Sequence, residues 1–205
     1  MQVAVCADSF GVSDIEYGSN WVDILSQQVS VTNYSQVSAS NLLISQQVDG
    51  ALKQGADFII VSFTSCTRGE KRHHGRLEPF SYHTASKQTT PFDQSDLDVL
   101  KEYFVRFFDL DLAIYQNHIT IEHTLGRLVK SGIPFVFSPG GFEHSSFGGQ
   151  QQNYFVEYIK HSSTINLWDF ARTREFRPFY HITDPVIHKQ ISEYYIKEIN
   201  KCLEH

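Results

Sequence analysis

The sequence predicts a single α/β domain built on a five-stranded, mostly parallel β-sheet. Five short apolar runs, rich in β-branched residues, alternate with segments of helical periodicity. This alternation is typical of parallel strands that are joined by right-handed helical crossovers. The 205 residues are close to the usual size of one domain, about 100 to 200 residues. We therefore expect one domain over residues 1–202, with helices on both faces of the sheet.

The predicted strands are the apolar runs at residues 3–6, 29–33, 58–63, 134–138 and 164–168. The third run is almost continuously apolar, as expected for a central parallel strand that is covered on both faces. Helical patterns occupy residues 21–28, 40–55, two stretches within 95–131, 154–161 and 189–202. Residues 64–94 and 139–149 lack periodicity, and loops of this length inside a compact domain are typically functional.

Composition and charge exclude several classes of protein. Apolar residues make up 41% of the chain and charged residues 20%, which are the proportions of a globular protein. The net charge of −6 provides no general positive field for a phosphate backbone, so we expect no nucleic-acid partner. No segment reaches the roughly 18 consecutive apolar residues of a membrane span. The first residues also lack the basic flank of a signal peptide, so the sequence predicts a cytoplasmic protein.

Cysteine and histidine positions argue against disulfides, metals and dinucleotides. The three cysteines are odd in number and far apart, which favours a reducing compartment. His73, His74 and His83 lack acidic or Cys partners at metal-ligand spacing, so we expect no metal site. The first turn lacks the G-x-G-x-x-G pattern of dinucleotide sites. Residues 203–205 resemble the remnant of an affinity tag, and we expect no functional role for them.

Ser9 is a candidate nucleophile because of its position. In open parallel sheets ligands bind beyond the carboxyl ends of the strands, and Ser9 follows the first predicted strand. A serine at a strand-to-helix turn has its hydroxyl at the sheet edge and its N–H near a helix start, which suits attack and oxyanion stabilisation. A serine before a helix can equally serve as its N-cap. Position alone leaves both interpretations open.

Four short blocks resemble those of the SGNH (GDSL-type) hydrolase family. Residues 7–10 (Ala-Asp-Ser-Phe) resemble the family's Gly-Asp-Ser block, and residues 38–41 (Ser-Ala-Ser-Asn) resemble its second block. Residues 62–65 (Ser-Phe-Thr-Ser) occupy the place of the Gly-x-Asn-Asp block. His181 precedes the last helix, where the family keeps its catalytic histidine. The resemblance covers nearly the whole chain and implies a three-layer, flavodoxin-like fold with strand order 2-1-3-4-5.

The resemblance implies a serine esterase or acyl hydrolase that acts on a small-molecule or carbohydrate ester without a cofactor. Ser9, preceded by Asp8, would attack the ester carbonyl. The backbone N–H groups of Ser9 and Ser38, together with Thr64, would stabilise the oxyanion. The remaining predicted substrate-binding residues are Asn41, Ser65 and Arg68.

Several positions differ from the family pattern. Ala7, Ser38 and Thr64 stand where the family has glycine, glycine and asparagine. A backbone N–H survives at Ser38, and the hydroxyl of Thr64 can donate one hydrogen bond. The aspartate three residues before the histidine is replaced by Pro178, so the histidine needs another acceptor, either a backbone carbonyl or a carboxylate such as Asp169 or Asp184. Without a carboxylate to hold the catalytic histidine in the correct tautomer, turnover can fall by about four orders of magnitude. The sequence therefore predicts a slow or specialised enzyme.

Two histidines are candidates for the general base. His181 lies several residues ahead of the last helix, as in the family, and Ser192 is a small residue suited to that helix's inner face. His188 opens the predicted helix and has Asp184 four residues earlier, so these two could form the dyad instead. Either histidine could also simply flank the helix. We expect His181 to approach Ser9 and His188 not to.

Residues 68–76 form the most concentrated basic segment and directly follow the central strand. We expect Arg68 to enter the site, where a guanidinium suits a carboxylate, a phosphate or a polar sugar. The rest of the segment is expected to be solvated. The rival to the esterase hypothesis is a non-catalytic protein of the same fold, whose altered blocks leave a pocket for a ligand or partner protein.

Overall fold

A computed structural model describes residues 1–13, 20–81, 92–138, 155–165, 167, 182 and 184–203. The strands are β1 Gln2–Cys6, β2 Ser30–Asn33, β3 Phe58–Ser62, β4 Gly69–His73, β5 Arg76–Phe80 and β6 Phe135–Ser138. The α-helices are α1 Trp21–Ser26, α2 Asn41–Lys53, α3 Gln94–Arg106, α4 Leu110–Ser131 and α5 Pro185–Leu203, with 3₁₀ helices at Ser9–Gly11 and Val156–His161. No helix among these residues is long and apolar enough to cross a membrane.

Four parallel strands form the central sheet in the order β2-β1-β3-β6. β1 lies between β2 and β3, with Val3 opposite Val31 on one side and Phe58 on the other. β6 continues the sheet beyond β3, with Ile60 opposite Val136. The first four predicted parallel strands therefore occur in the predicted order, whereas the described part of the chain forms a parallel sheet of four strands and not the predicted five.

The predicted fifth strand, residues 164–168, does not extend the sheet within the described part of the chain. A single parallel bridge joins Phe137 to Ser162, and Ser163 N donates to Phe137 O at 2.6 Å. Ser163 Oγ then accepts from Ile165 N at 3.1 Å. Such a local serine turn offers the backbone an alternative to ladder hydrogen bonds. Residues 166 and 168 lie outside the described residues.

Helices cover both faces of the sheet, as predicted for a three-layer architecture. Successive strand residues point to opposite faces, so β1 and β3 contribute to two separate cores. One core contains Ala4, Cys6, Ile59 and Val61 with apolar residues of α2 and α4. The other contains Val3, Val5, Phe58 and Ile60 with apolar residues of α1 and α5. Every residue of β3 is buried, in agreement with its continuous apolar run.

Residues 64–94, predicted to be an irregular loop, contain an antiparallel hairpin. β4 and β5 pair with His73 opposite Arg76. The connecting residues His74 and Gly75 have positive φ angles of 46° and 82°. Positive φ at both central residues is the signature of a type I′ turn, whose twist matches that of the two strands. The sequence signal is weak because charged residues fill most of β4, where β-branched residues are usual.

Helix α5 begins at Pro185, earlier than the predicted start at residue 189. Asp184 caps it, since its Oδ1 accepts from Val186 N at 2.9 Å. Proline suits the first helical position because it has no N–H to satisfy and its φ is already helical. His188 consequently lies within the first turn of α5 and does not open the helix as predicted.

Candidate active site

Ser9 follows β1 and is the first residue of the 3₁₀ helix Ser9–Gly11. Asp8 caps this turn, because its Oδ1 accepts from Phe10 N at 3.0 Å. The indole N–H of Trp21 donates to Phe10 O at 2.8 Å and ties the turn to α1. Ser9 is only 8% exposed. The N-cap role that the sequence left open for Ser9 thus belongs to Asp8, and Ser9 stands inside the turn at the sheet edge.

The carboxylate of Asp8 is fully buried and joins three segments. Its Oδ2 accepts from Thr64 Oγ1 at 2.7 Å and forms an ion pair with Arg68 NH1 at 2.9 Å. The same Arg68 nitrogen donates to Ala39 O at 3.1 Å. A buried charge is tolerated when it is paired and hydrogen-bonded in this way. The first three sequence blocks therefore meet beside Ser9 through one network.

The side chain of Thr64 belongs to this network because it donates to Asp8. A carboxylate can only accept, so the one hydroxyl proton of Thr64 is directed at Asp8. The backbone of Thr64 is held by Asn41, whose Oδ1 accepts from Thr64 N at 2.8 Å and whose Nδ2 donates to Thr64 O at 2.9 Å. Asn41 thus fastens the residue after β3 to the start of α2.

Asn117, on α4, is a site residue that the sequence reasoning missed. Its Oδ1 accepts from Asn41 Nδ2 at 2.6 Å, and its Nδ2 donates to Ala113 O at 2.8 Å. Asn41 therefore uses both of its N–H donors. An isolated polar residue on a helix resembles an ordinary solvated one, so no sequence signal distinguishes Asn117. Its role depends on how α2 and α4 pack.

Ser38 adopts a left-handed backbone conformation with φ 62°. Glycine populates this region without steric cost, whereas other residues pay about 1–2 kcal/mol. The family pattern has glycine at this position, and Ser38 adopts a φ that glycine would adopt more readily. Among the described residues, none accepts a hydrogen bond from the backbone N–H of Ser9 or Ser38.

Ser65 shapes the turn that follows β3. Its Oγ lies 2.7 Å from Thr67 Oγ1 and accepts from Thr67 N at 3.1 Å. Local bonds of this kind fix a turn without secondary structure. They direct the chain towards Arg68.

His188, the alternative candidate for the base, is hydrogen-bonded to the backbone just before α5. Its Nε2 lies 3.0 Å from Ile182 O, and because a carbonyl only accepts, Nε2 carries the proton. Its Nδ1 is buried without a hydrogen-bond partner, and burial lowers the pKa of the imidazole. Within the described part of the chain, no hydrogen bond joins His188 to Ser9 or to the carboxylate of Asp184.

Three predicted features lie outside the described residues: His181, the alternative acceptor Asp169 and the glycine-rich segment 139–149. The described residues bring together five predicted positions at the carboxyl edge of β1 and β3. These are Asp8, Ser9, Asn41, Thr64 and Arg68.

No protein-family model and no curated protein sequence matches the chain, whereas solved structures do. The psychrotrophic esterase EstA from Pseudoalteromonas sp., inhibited by monoethylphosphonate, gives a TM-score of 0.57 at 10% identity, covering 100% of this chain and 99% of its own. A protein from Desulfitobacterium hafniense, described as lipolytic and of the G-D-S-L family, gives a TM-score of 0.54 at 13% identity. The match covers 96% of this chain and 98% of that protein's chain. The chain therefore shares its fold with an esterase and with a protein described as a member of the G-D-S-L family, the family that its sequence blocks resemble.

Proposed function

We propose that this chain is a serine esterase in which Ser9 attacks a small-molecule or carbohydrate ester. The observation that carries the proposal is the network of Asp8, Thr64 and Arg68 beside Ser9 at the carboxyl edge of the sheet. Open α/β sheets bind their ligands at this edge. EstA, whose fold the chain shares, is an esterase, which supports the same reaction class.

In the proposed reaction, Ser9 Oγ forms a bond to the carbonyl carbon while its proton passes to an imidazole. The carbonyl electron pair moves to oxygen, and the backbone N–H groups of Ser9 and Ser38 are the proposed donors to that oxyanion. Collapse breaks the ester bond, and the leaving alcohol takes the proton from the imidazolium. Water then attacks the acyl-serine in the same way, which releases the acid and restores Ser9.

His181 is the proposed base because it precedes α5 at about the position that the resemblance implies, and because the imidazole of His188 is bound to Ile182 O. Asp8 is assigned a positioning role, since its carboxylate is engaged by Thr64 and Arg68. Thr64 supports Asp8 in this scheme, and the oxyanion depends on the two backbone donors.

A fluorophosphonate probe tests this proposal because it phosphonylates activated serines. Mass spectrometry is expected to locate one label at Ser9, and Ser9→Ala should abolish it. His181→Ala should also abolish labelling, since an unassisted serine hydroxyl is a weak nucleophile at neutral pH. His188→Gln is the matched control, because glutamine keeps an N–H donor for the Ile182 carbonyl, and it should retain labelling.

The opposite response of the two histidine variants would move the base to His188. Absence of labelling in the folded, unmodified protein would overturn the esterase proposal and favour a non-catalytic binding protein. Circular dichroism of each variant separates loss of folding from loss of nucleophile activation.

A further inference from the structure

The β4–β5 hairpin, α3 and α4 enclose a cavity of about 280 Å³. This volume is close to the lower end of ligand pockets, roughly 300 Å³, so it suits a small organic molecule. Arg68 and Asn117 line the cavity, which therefore borders the Asp8 network, but Ser9 is not among its lining residues. The cavity is thus distinct from the proposed nucleophile position.

One lining carboxylate lacks a cationic partner among the described residues. Glu70 lines the cavity from β4, and its Oε1 is buried without a hydrogen bond. The charge of Arg68, the lining cation, is already compensated by buried Asp8 at 2.9 Å. The adjacent Lys71 is ion-paired with Asp96 on α3. An ionised Glu70 therefore gives the described walls one uncompensated negative charge.

An aromatic wall faces the same space. Its members are Phe80 of β5, Tyr103 and Phe104 of α3, and Phe108 beyond α3. The Phe80 and Phe104 ring centroids lie 5.9 Å apart, and those of Phe104 and Phe108 lie 5.3 Å apart. Aromatic faces attract cations by about 0.5–2 kcal/mol, with the larger values in desolvated sites.

We propose that this cavity binds a small alkylated ammonium ion, with Glu70 as its counter-ion. Alkyl groups on the nitrogen pack against aromatic rings, and they make the ion less costly to desolvate than a bare ammonium. The positive charge compensates Glu70, the lining carboxylate for which the described residues supply no cation. The proposal is independent of Ser9 catalysis.

Burial raises the pKa of Glu70 to about 7, because the ionised carboxylate loses hydration, and backbone hydrogen bonds from Glu70 and Leu43 offset only part of that loss. The other titratable or charged groups on the cavity walls are Cys66, Arg68 and Tyr103, and α4 contributes none. A bound cation favours the ionised carboxylate, so its affinity should rise with pH. From a pKa of about 7, the ionised fraction increases about tenfold between pH 6 and pH 8.

Calorimetric titration of the full chain with choline and with 3,3-dimethyl-1-butanol tests the proposal. The two molecules have nearly the same shape, but the alcohol has carbon in place of the charged nitrogen. Choline is expected to bind at pH 8 at least about tenfold more tightly than the alcohol, because only choline satisfies the ionised carboxylate. Choline affinity should fall about tenfold at pH 6, whereas any affinity for the alcohol should not fall.

Glu70→Gln should remove both the preference for choline and its pH dependence. Glu102→Gln is the matched control, since Glu102 is half exposed on α3 and pairs with Arg106 at 3.2 Å. Phe108→Leu keeps an apolar wall without the ring, so it should weaken choline binding more than alcohol binding. This second variant tests the proposal even if Glu70→Gln does not fold.

Three outcomes would overturn the proposal: equal affinity for the two ligands, no choline binding at pH 8, or unchanged choline binding in Glu70→Gln. Tighter binding of the alcohol would instead indicate a site for a neutral hydroxylated ligand. Ser9→Ala should leave choline affinity unchanged. Choline titration therefore tests this proposal alone, and fluorophosphonate labelling tests the esterase proposal alone.

Discussion

Asp8 holds a charge with no access to solvent, and its partners come from distant parts of the sequence. Oδ1 caps the turn that contains Ser9, while Oδ2 meets Thr64 and Arg68. The sequence predicted that Arg68 binds an anionic or carbohydrate substrate. Its side chain is 12% exposed and paired with Asp8, so its first role is to compensate a buried carboxylate.

Arg68→Ala should lower the free energy of unfolding by about 3–5 kcal/mol, because it leaves the Asp8 charge buried and unpaired. Adding Asp8→Asn should recover part of the loss, since a neutral amide needs no cation. Urea denaturation of the single and double variants measures both effects. Lys101→Ala removes an exposed ion pair with Asp98 and should cost no more than about 1 kcal/mol. A loss for Arg68→Ala as small as that control would contradict the structural role.

The turn after β1 packs closely against the segment after β2. Asn33 Nδ2 donates to Gly11 O at 2.8 Å, and Gln36 N donates to Ala7 O at 3.2 Å. A Cβ at Gly11 would collide with the side chain of Ser35. The absence of a side chain at Gly11 therefore lets the Ser9 turn lie against its neighbour.

Gly11→Ala should destabilise the protein by about 1–3 kcal/mol through overpacking and should slow fluorophosphonate labelling of Ser9 by displacing the turn. Combining it with Ser35→Gly should restore part of both properties, because the colliding atoms are removed. Gly126→Ala is the control, because among the described residues an added Cβ there meets only Tyr158 Oη, at the ordinary contact distance of 3.6 Å. Alanine also favours the helix by roughly 0.5–1 kcal/mol. Failure of Ser35→Gly to restore either property would argue against this collision.

At the scale of the whole molecule, the two larger apolar cores of the described residues share the strands β1 and β3. Leu125 of α4 is fully buried in one core, and Ile191 of α5 is fully buried in the other. Trp21 and Tyr195, whose ring centroids lie 4.9 Å apart, join α1 to α5 in the second core. Since one sheet contributes to both cores, we expect the two to unfold together as a single domain.

Leu125→Ala and Ile191→Ala should each lower the free energy of unfolding by about 2–5 kcal/mol. Because the two residues lie on opposite faces of the sheet, the effects should add within about 0.5 kcal/mol in the double variant. Tryptophan fluorescence and far-ultraviolet circular dichroism should give coincident urea transitions in all variants. Leu112→Ala, at a 53% exposed position of α4, is the control and should change stability little. Two separated transitions would contradict the single domain.

The alternation of apolar runs with helical segments was sufficient to predict helices on both faces of a parallel sheet, whereas the order of the four parallel strands was predicted only with the help of the family resemblance. The apolar run of β3 and the helical periodicity between the strands can be read from the sequence, because buried positions recur with the period of the strand or helix that contains them. The position of Ser9 after the first strand was predictable for the same reason. The hairpin was not, because charged residues fill most of β4, which therefore lacks the apolar pattern of a strand.

The partners of the site residues depend on packing between segments far apart in the chain. Thr64 was predicted as an oxyanion donor, but its single proton is directed at Asp8, which lies 56 positions away. Asn117 reaches Asn41 across 76 positions. No local pattern specifies such pairs, because each depends on two elements meeting at one distance and angle. Sequence periodicity therefore determined the layers and the edge where the candidate site lies, and the packing of those layers determined which polar groups meet there.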